Sequence, residues 1–347
     1  MASEIRGRAG SLNAVQTSAH LRDGSAHTAD PWRASILIFF VTTVLSALLA
    51  VATLAAVDPY DTGRFALAPL WRGRIDEDRS SRGRDTRFNS AIIGNSRIEM
   101  VRPALLDEKT GLRFVSLYIH GAQPIEELAV LRYFLRHHPE ARAIVIGLDE
   151  TWCFDPLRSE LKSEFPAWQY EDDTLRYLAH LYSFRVVQRA WDAWHSAESR
   201  ADGFEDYEPA FHAAGADTIE VVRKKLPPAR PTARYTSLNA FPAVSELEKI
   251  LQDMPATIAV VLAWVPTHIS MIPLPDTPEA RATAACRTAY TSIASVRRRT
   301  RILDWYLDRP ENRIDEDYLD RVHYRTPIAT AFGQDIAAQL NAALSDR

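Results

Sequence analysis

The chain has 347 residues, 46% of them hydrophobic, enough to bury the core of one large or two small domains. Its net charge of −4 leaves no electrostatic footprint for nucleic acid. Cys153 and Cys286 are too few for a disulfide framework, and no Cys/His cluster has zinc-ligand spacing, so neither a metal nor a cofactor is expected.

Residues 1–33 are polar, rich in Ala, Ser, Arg and His, and read as a disordered cytoplasmic tail. Residues 34–57 carry no charge and no polar stripe. A helix of about 24 residues is roughly 36 Å long and spans a bilayer, whereas a cleaved signal peptide has an apolar region of about 7–15 residues. The expectation is therefore an uncleaved transmembrane anchor. Arg22 and Arg33 precede it, and Asp58 and Asp61 follow. By the positive-inside rule the N-terminus is cytoplasmic and the large domain periplasmic or otherwise extracytoplasmic, although Arg64, Arg72 and Arg74 run against that bias. Residues 58–87, with Pro59, Pro69 and a dense charge run, read as a solvated linker.

The globular domain is expected over residues 88–347. Ala91-Ile92-Ile93 reads as a short buried strand, Gly94-Asn95 as a tight turn, and Ser96 as the first residue of a helix. A serine at a strand's carboxyl end and a helix's amino end can be a nucleophile whose own amide donates to an oxyanion. The bland alternative is a helix cap. Arg97 beside it could bind an anionic substrate or form an ordinary ion pair.

A helix is expected over residues 101–111, a strand over 113–119, a loop at His120-Gly121-Ala122-Gln123, and a helix over 125–138. The continuous apolar run of residues 143–149 suits a buried parallel strand. Residues 155–235 break the strand–helix alternation and concentrate Trp168, Tyr170, Tyr177, Tyr182, Trp191 and Trp194. They read as a helical insertion with aromatic packing or, more sharply, as an aromatic lid over the serine that could stack sugar rings. A helix follows over 243–252, then a strand over 257–265 ending in a loop with His268, either a substrate contact or a satisfied loop histidine. A helix over 278–299 and a last strand from Arg301 complete the pattern. Cys153 and Cys286 could form one bridge in an oxidising compartment; buried thiols are the expectation.

Asp320 and His323 stand three apart in Asp320-Arg321-Val322-His323. On a helical turn that spacing puts both side chains on one face. A carboxylate there can hold the imidazole tautomer while the other ring nitrogen takes a proton from a serine. The bland reading is a surface Asp–His pair.

Gly94-Asn95-Ser96-Arg97, Asp320-Arg321-Val322-His323 and the amphipathic stretch 328–340, in that order, resemble the SGNH (GDSL-like) hydrolase superfamily. The likeness covers about residues 88–345. It implies a three-layer α/β/α fold with a mostly parallel sheet, flavodoxin-like, behind the transmembrane helix. It also implies a Ser96–His323–Asp320 triad with the amides of Ser96 and Gly121 in the oxyanion hole. The family usually places an asparagine after the third strand as a further donor. Here that residue is Asp149, which must be protonated, point elsewhere or leave the hole with two donors. A single-anchor domain of this kind is similar to proteins that O-acetylate envelope or secreted polysaccharides beside a multispanning acyltransferase. The expectation is a serine O-acetyltransferase or esterase acting on a polysaccharide. The alternative is a catalytically silent scaffold that binds glycan or the multispanning partner.

Overall fold

A computed structural model describes residues 31–65, 80–153, 165–195, 201–213 and 241–346. Residues 1–30 of the expected 1–33 tail, the middle of the expected linker and parts of the insertion, including the Trp194 side chain, lie outside the described residues, whereas residues 31–33 are helical. The chain divides into two units, residues 1–49 and 50–347.

The first unit consists, in its described part, of most of helix α1 (Pro31–Val57), which also supplies the opening turns of the second. Its large apolar side chains from Ile36 to Leu49 are exposed, with a mean hydropathy of 2.5 over the most apolar window. This helix is long and apolar enough to span a membrane.

In the second unit five strands form one parallel sheet: β1 (Ser90–Gly94), β2 (Phe114–Tyr118), β3 (Ala143–Leu148), β4 (Ala259–Trp264) and β5 (Thr300–Asp304). Their spatial order is 2-1-3-4-5. Parallel neighbours need crossovers, and helices supply them: α2 (Pro103–Thr110), α3 (Pro124–His137), α7 (Pro242–Asp253) and α8 (Pro278–Val296), while α9 (Thr326–Ser345) follows the last strand. Between α3 and α7 the excursion adds α4 (Thr174–His180), α5 (Phe184–His195) and α6 (Glu208–Ala213).

Strand residues alternate between two cores. Ile93, Leu117, Ile146 and Leu262 pack with Leu128 of α3, Leu247 of α7 and Tyr290 of α8. Ile92, Phe114, Val145 and Val261 pack with Leu106 of α2 and Phe332, Ile336 and Leu340 of α9. Both faces of the sheet are covered, which explains why β1, β3 and β4 read as unbroken apolar runs.

Three expectations change. Residues 95–100 form successive turns, closed by Ile98 N–H to Asn95 carbonyl at 3.1 Å and Glu99 N–H to Ser96 carbonyl at 3.4 Å. No helix begins at Ser96; α2 starts at Pro103, where a proline suits the first turn. The described ends of the 58–87 connector are not solvated. Asp58, Asp61, Thr62, Ser80 and Arg82 are buried, with Arg82 3.7 Å from Asp61 and Tyr133 donating to the Ser80 carbonyl at 2.8 Å. Polar residues of a connector can pack inward when they satisfy one another, and the charge run concealed that. Finally, Cys153 and Cys286 are not free thiols: they form a disulfide, joining the segment after β3 to α8 with Cα atoms 5.6 Å apart.

Candidate active site

The order 2-1-3-4-5 reverses direction between β1 and β3, and open parallel sheets bind ligands beyond the carboxyl ends of the strands at such a point. Ser96 follows β1 there, and Asp149 follows β3. Gly94 and Gly147 lie beside each other on these two strands. A Cβ on either would come within 2.9 Å of Ile98, so the paired glycines leave the space that Ile98 fills beneath the serine turn.

The Ser96 hydroxyl lies 3.0 Å from His323 Nε2, and His323 Nδ1 lies 2.7 Å from Asp320 Oδ2. Residues 227 apart in sequence thus form one serine–imidazole–carboxylate chain. Ser96 and His323 are both half-buried. The Asp–His segment is a loop rather than a helical turn. Tyr318 and Tyr324 close it by an antiparallel bridge, and Leu319 N–H donates to the His323 carbonyl at 2.8 Å. Asp320 Oδ1 accepts from the N–H groups of Val322 and His323, each at 2.8 Å. One carboxylate therefore shapes the loop with one oxygen and orients the imidazole with the other. Burial would raise the Asp320 carboxyl, but the hydrogen bond and charge of His323 and the two backbone N–H groups outweigh it and hold it below the ordinary range.

Both carboxylate oxygens of Asp149 are engaged as acceptors. It accepts from Asn95 Nδ2 at 2.7 Å and from the Thr151 N–H and hydroxyl at 2.8 and 2.5 Å, with Arg97 Nε at 3.6 Å. It braces the serine turn through Asn95, whose own Oδ1 accepts from the Arg97 N–H at 3.0 Å. Among the described residues no protein acceptor is found for the Ser96 N–H. Gly121 adopts φ +60° in the neighbouring β2 loop, which is tied to the end of β1 by Ile119 N–H to the Gly94 carbonyl at 3.0 Å.

Arg97 and His268, each readable as a substrate contact or as an ordinary structural residue, are engaged within the protein. Arg97 forms a two-pronged ion pair with Glu150, one arm at 2.5 Å, and its side chain is 13% exposed. Burial would lower the guanidinium, but the charges of Glu150 and Asp149 keep it above its ordinary value. His268 is buried, with its ring nitrogens 2.9 Å from Ser270 Oγ and 3.1 Å from Asp315 Oδ1. Its backbone N–H donates to the Arg321 carbonyl at 2.9 Å, so it buttresses the His323 loop.

Sequence reasoning did not assign the residues that frame this chain. Tyr207 and Phe211 stand with ring centres 5.4 Å from that of His323. The Tyr207 hydroxyl donates to the Tyr324 carbonyl at 2.5 Å, and Glu208 accepts from the Thr326 N–H and hydroxyl at 2.7 and 2.6 Å. Glu208 thereby supplies the missing acceptor at the start of α9, where a carboxylate suits the helix dipole. Glu99, buried three residues after Ser96, meets His120 at 2.9 Å and ties the β2 loop to the serine turn. The aromatic-rich stretch 155–235 contains Tyr207 and Phe211, but local patterning names none of these partners, because each bond joins segments distant in the chain.

Behind the site, Glu127 is buried and accepts from Trp152 Nε1 at 3.2 Å. Burial, then the charge of Asp149, push its carboxyl well above the ordinary range. No protein-family model matches the chain, and no curated protein matches it. Among the described residues no group of His, Cys, Asp and Glu is arranged to hold a metal ion. The chemistry within reach of these groups is transfer of the Ser96 proton to His323, with Asp320 stabilising the imidazolium that results.

Proposed function

We propose that the protein is a membrane-anchored, SGNH-like serine acyl-transfer enzyme, an O-acetyltransferase or esterase acting on a cell-envelope or secreted polysaccharide. The observation that carries this reading is the continuous Ser96–His323–Asp320 hydrogen-bonded chain, at 3.0 and 2.7 Å, beyond the carboxyl edge of a parallel sheet. Ser96 attacks the ester carbonyl carbon. His323 Nε2 takes the hydroxyl proton and delivers it to the leaving alcohol as the ester C–O bond breaks. Water or a sugar hydroxyl then attacks the acyl-serine and releases the acyl group, its proton passing through His323 back to Ser96. The oxyanion is assigned to the Ser96 amide, with Gly121 in the adjoining loop.

Helix α1 supports a single-pass anchor, and the Cys153–Cys286 disulfide supports a periplasmic or extracytoplasmic domain, because disulfides persist in oxidising compartments. Phe211, half-buried beside His323, is suited to stacking on a sugar ring. A multispanning membrane acyltransferase would be the natural donor of acyl groups to such a domain.

One observation favours a silent scaffold that binds glycan or that partner. Asp149 occupies the position of a donor and accepts hydrogen bonds instead. Turnover of p-nitrophenyl acetate separates the two. The enzyme reading expects hydrolysis by the wild type and its loss in Ser96→Ala; wild type without turnover, or turnover unchanged in the variant, contradicts it.

A further inference from the structure

Ten large apolar side chains outside α1 are exposed among the described residues, and five of them fall between positions 175 and 191. They are Leu175, Tyr182, Phe184, Val187 and Trp191, and the most exposed, Phe184, is 85% accessible. Such clustering is not scatter: contiguous exposed apolar surface marks a contact with another apolar phase.

Helix α5 places Phe184, Val187 and Trp191 at positions i, i+3 and i+7, one stripe along its length. Arg185, Arg189 and Asp192 lie off that stripe. Val186 is buried on a third side, against the end of α1. The α4–α5 hairpin is thus amphipathic, and it shows its apolar stripe outward.

Where the hairpin is fastened decides what covers the stripe. Tyr177, Leu181 and Val186 form a small core with Ala55, and Val51 and Leu54 pack against it. The Tyr177 hydroxyl donates to Asp58 Oδ1 at 3.1 Å, directly after the helix ends. Tyr60 meets Trp168 edge-on at 4.8 Å, and the Arg189 guanidinium lies 4.9 Å above the Tyr60 ring. The hairpin is therefore clamped onto the last two turns of the spanning helix, where hydrocarbon gives way to headgroups. Tyrosine, tryptophan and arginine are the residues that settle at that boundary.

We propose that the α4–α5 hairpin is a membrane-interface element whose Phe184, Val187 and Trp191 stripe inserts among the lipid headgroups and upper acyl chains. The inference rests on α1 being a membrane span and is independent of the chemistry assigned to Ser96.

The full-length protein is reconstituted into phosphatidylethanolamine–phosphatidylglycerol vesicles containing lipids spin-labelled at the fifth acyl carbon, or at the twelfth for the mid-span position 44. A fluorophore is attached through one of four substitutions: Val187→Cys, Trp191→Cys, Asp192→Cys or Val44→Cys. The paired native cysteines do not compete for label. Lipid quenching at positions 187 and 191 is expected to exceed that at 192 about threefold, as for an interfacial amphipathic helix. Quenching at 187 and 191 no greater than at 192, while position 44 is quenched, overturns the proposal and leaves the anchor standing. Position 44 unquenched removes the anchor reading and the proposal together. Unquenched labels at 187 and 191 that cross-link between copies assign the stripe to a second copy instead, which also overturns it. Hydrolysis of p-nitrophenyl acetate by the same vesicles reports separately on the Ser96 site.

Discussion

Asp320→Asn isolates the carboxylate's part in the proposed chemistry from its part in the fold. Asp320 Oδ1 holds the loop through the N–H groups of Val322 and His323 at 2.8 Å, and Oδ2 meets His323 Nδ1 at 2.7 Å. An asparagine keeps the first pair of bonds with its carbonyl oxygen. Its amide nitrogen then faces Nδ1 and can only donate. The imidazole must carry its proton on Nε2, the atom 3.0 Å from Ser96 Oγ, where it can no longer accept the serine proton. A wrong tautomer in an otherwise intact serine triad costs about 10⁴ in kcat, or ~5.4 kcal/mol at about 1.36 kcal/mol per decade. The assay is p-nitrophenyl acetate hydrolysis, with KM and thermal unfolding measured alongside. The expected result is a fall of about three to four decades in kcat with KM little changed. Asp320→Ala should lose the loop bonds as well and unfold at a lower temperature. Retention of wild-type kcat to within about tenfold in Asp320→Asn would refute the assignment of Asp320 as the orienting group.

Three further outcomes follow from the packing. Glu127 has its carboxyl raised by burial and by Asp149, so the native state holds a proton that the unfolded chain releases above its ordinary value near 4.3. Stability therefore falls as pH rises from that value toward the folded one, and Glu127→Gln, which keeps an acceptor for Trp152, should flatten this slope in urea titrations; an unchanged slope contradicts a protonated Glu127. Gly147→Ala puts a Cβ 2.9 Å from Ile98 and should displace the Ser96 turn, lowering hydrolysis at least about tenfold while costing about 1–3 kcal/mol in urea unfolding. The disulfide closes a loop across 133 residues of sequence separation, so Cys153→Ser with Cys286→Ser should cost roughly 3–5 kcal/mol, read as a lower urea midpoint; an unchanged midpoint indicates that the bridge does not form.

The sheet was legible because burial on both faces makes its strands read as apolar runs, as in β3 and β4. The pairing of Ser96 with His323 was legible only as two short motifs in order. Their local structure was not. The serine turn depends on Ile98 filling the gap left by Gly94 and Gly147, a contact between strands that no spacing rule encodes. The Asp–His loop owes its shape to Asp320 bonding its own backbone, which a three-residue spacing cannot distinguish from a helical turn. For Arg97 and His268 a substrate contact and a structural role stayed open, because their partners, Glu150 and Asp315, come from other segments. The disulfide was equally hidden, since pairing depends on Cα separation and not on count. The aromatic insertion mixes two uses that composition cannot separate: Tyr207 packs beside His323, whereas Trp191 is left on the surface.

The most direct measurement of the central claim is covalent labelling by a fluorophosphonate, followed by mass spectrometry of the digest. A serine made nucleophilic by an adjoining imidazole should yield one phosphonylated site, on the peptide containing Ser96, absent from Ser96→Ala and strongly reduced in His323→Ala. Wild-type protein that remains unlabelled, or that is labelled at another residue, would contradict the account.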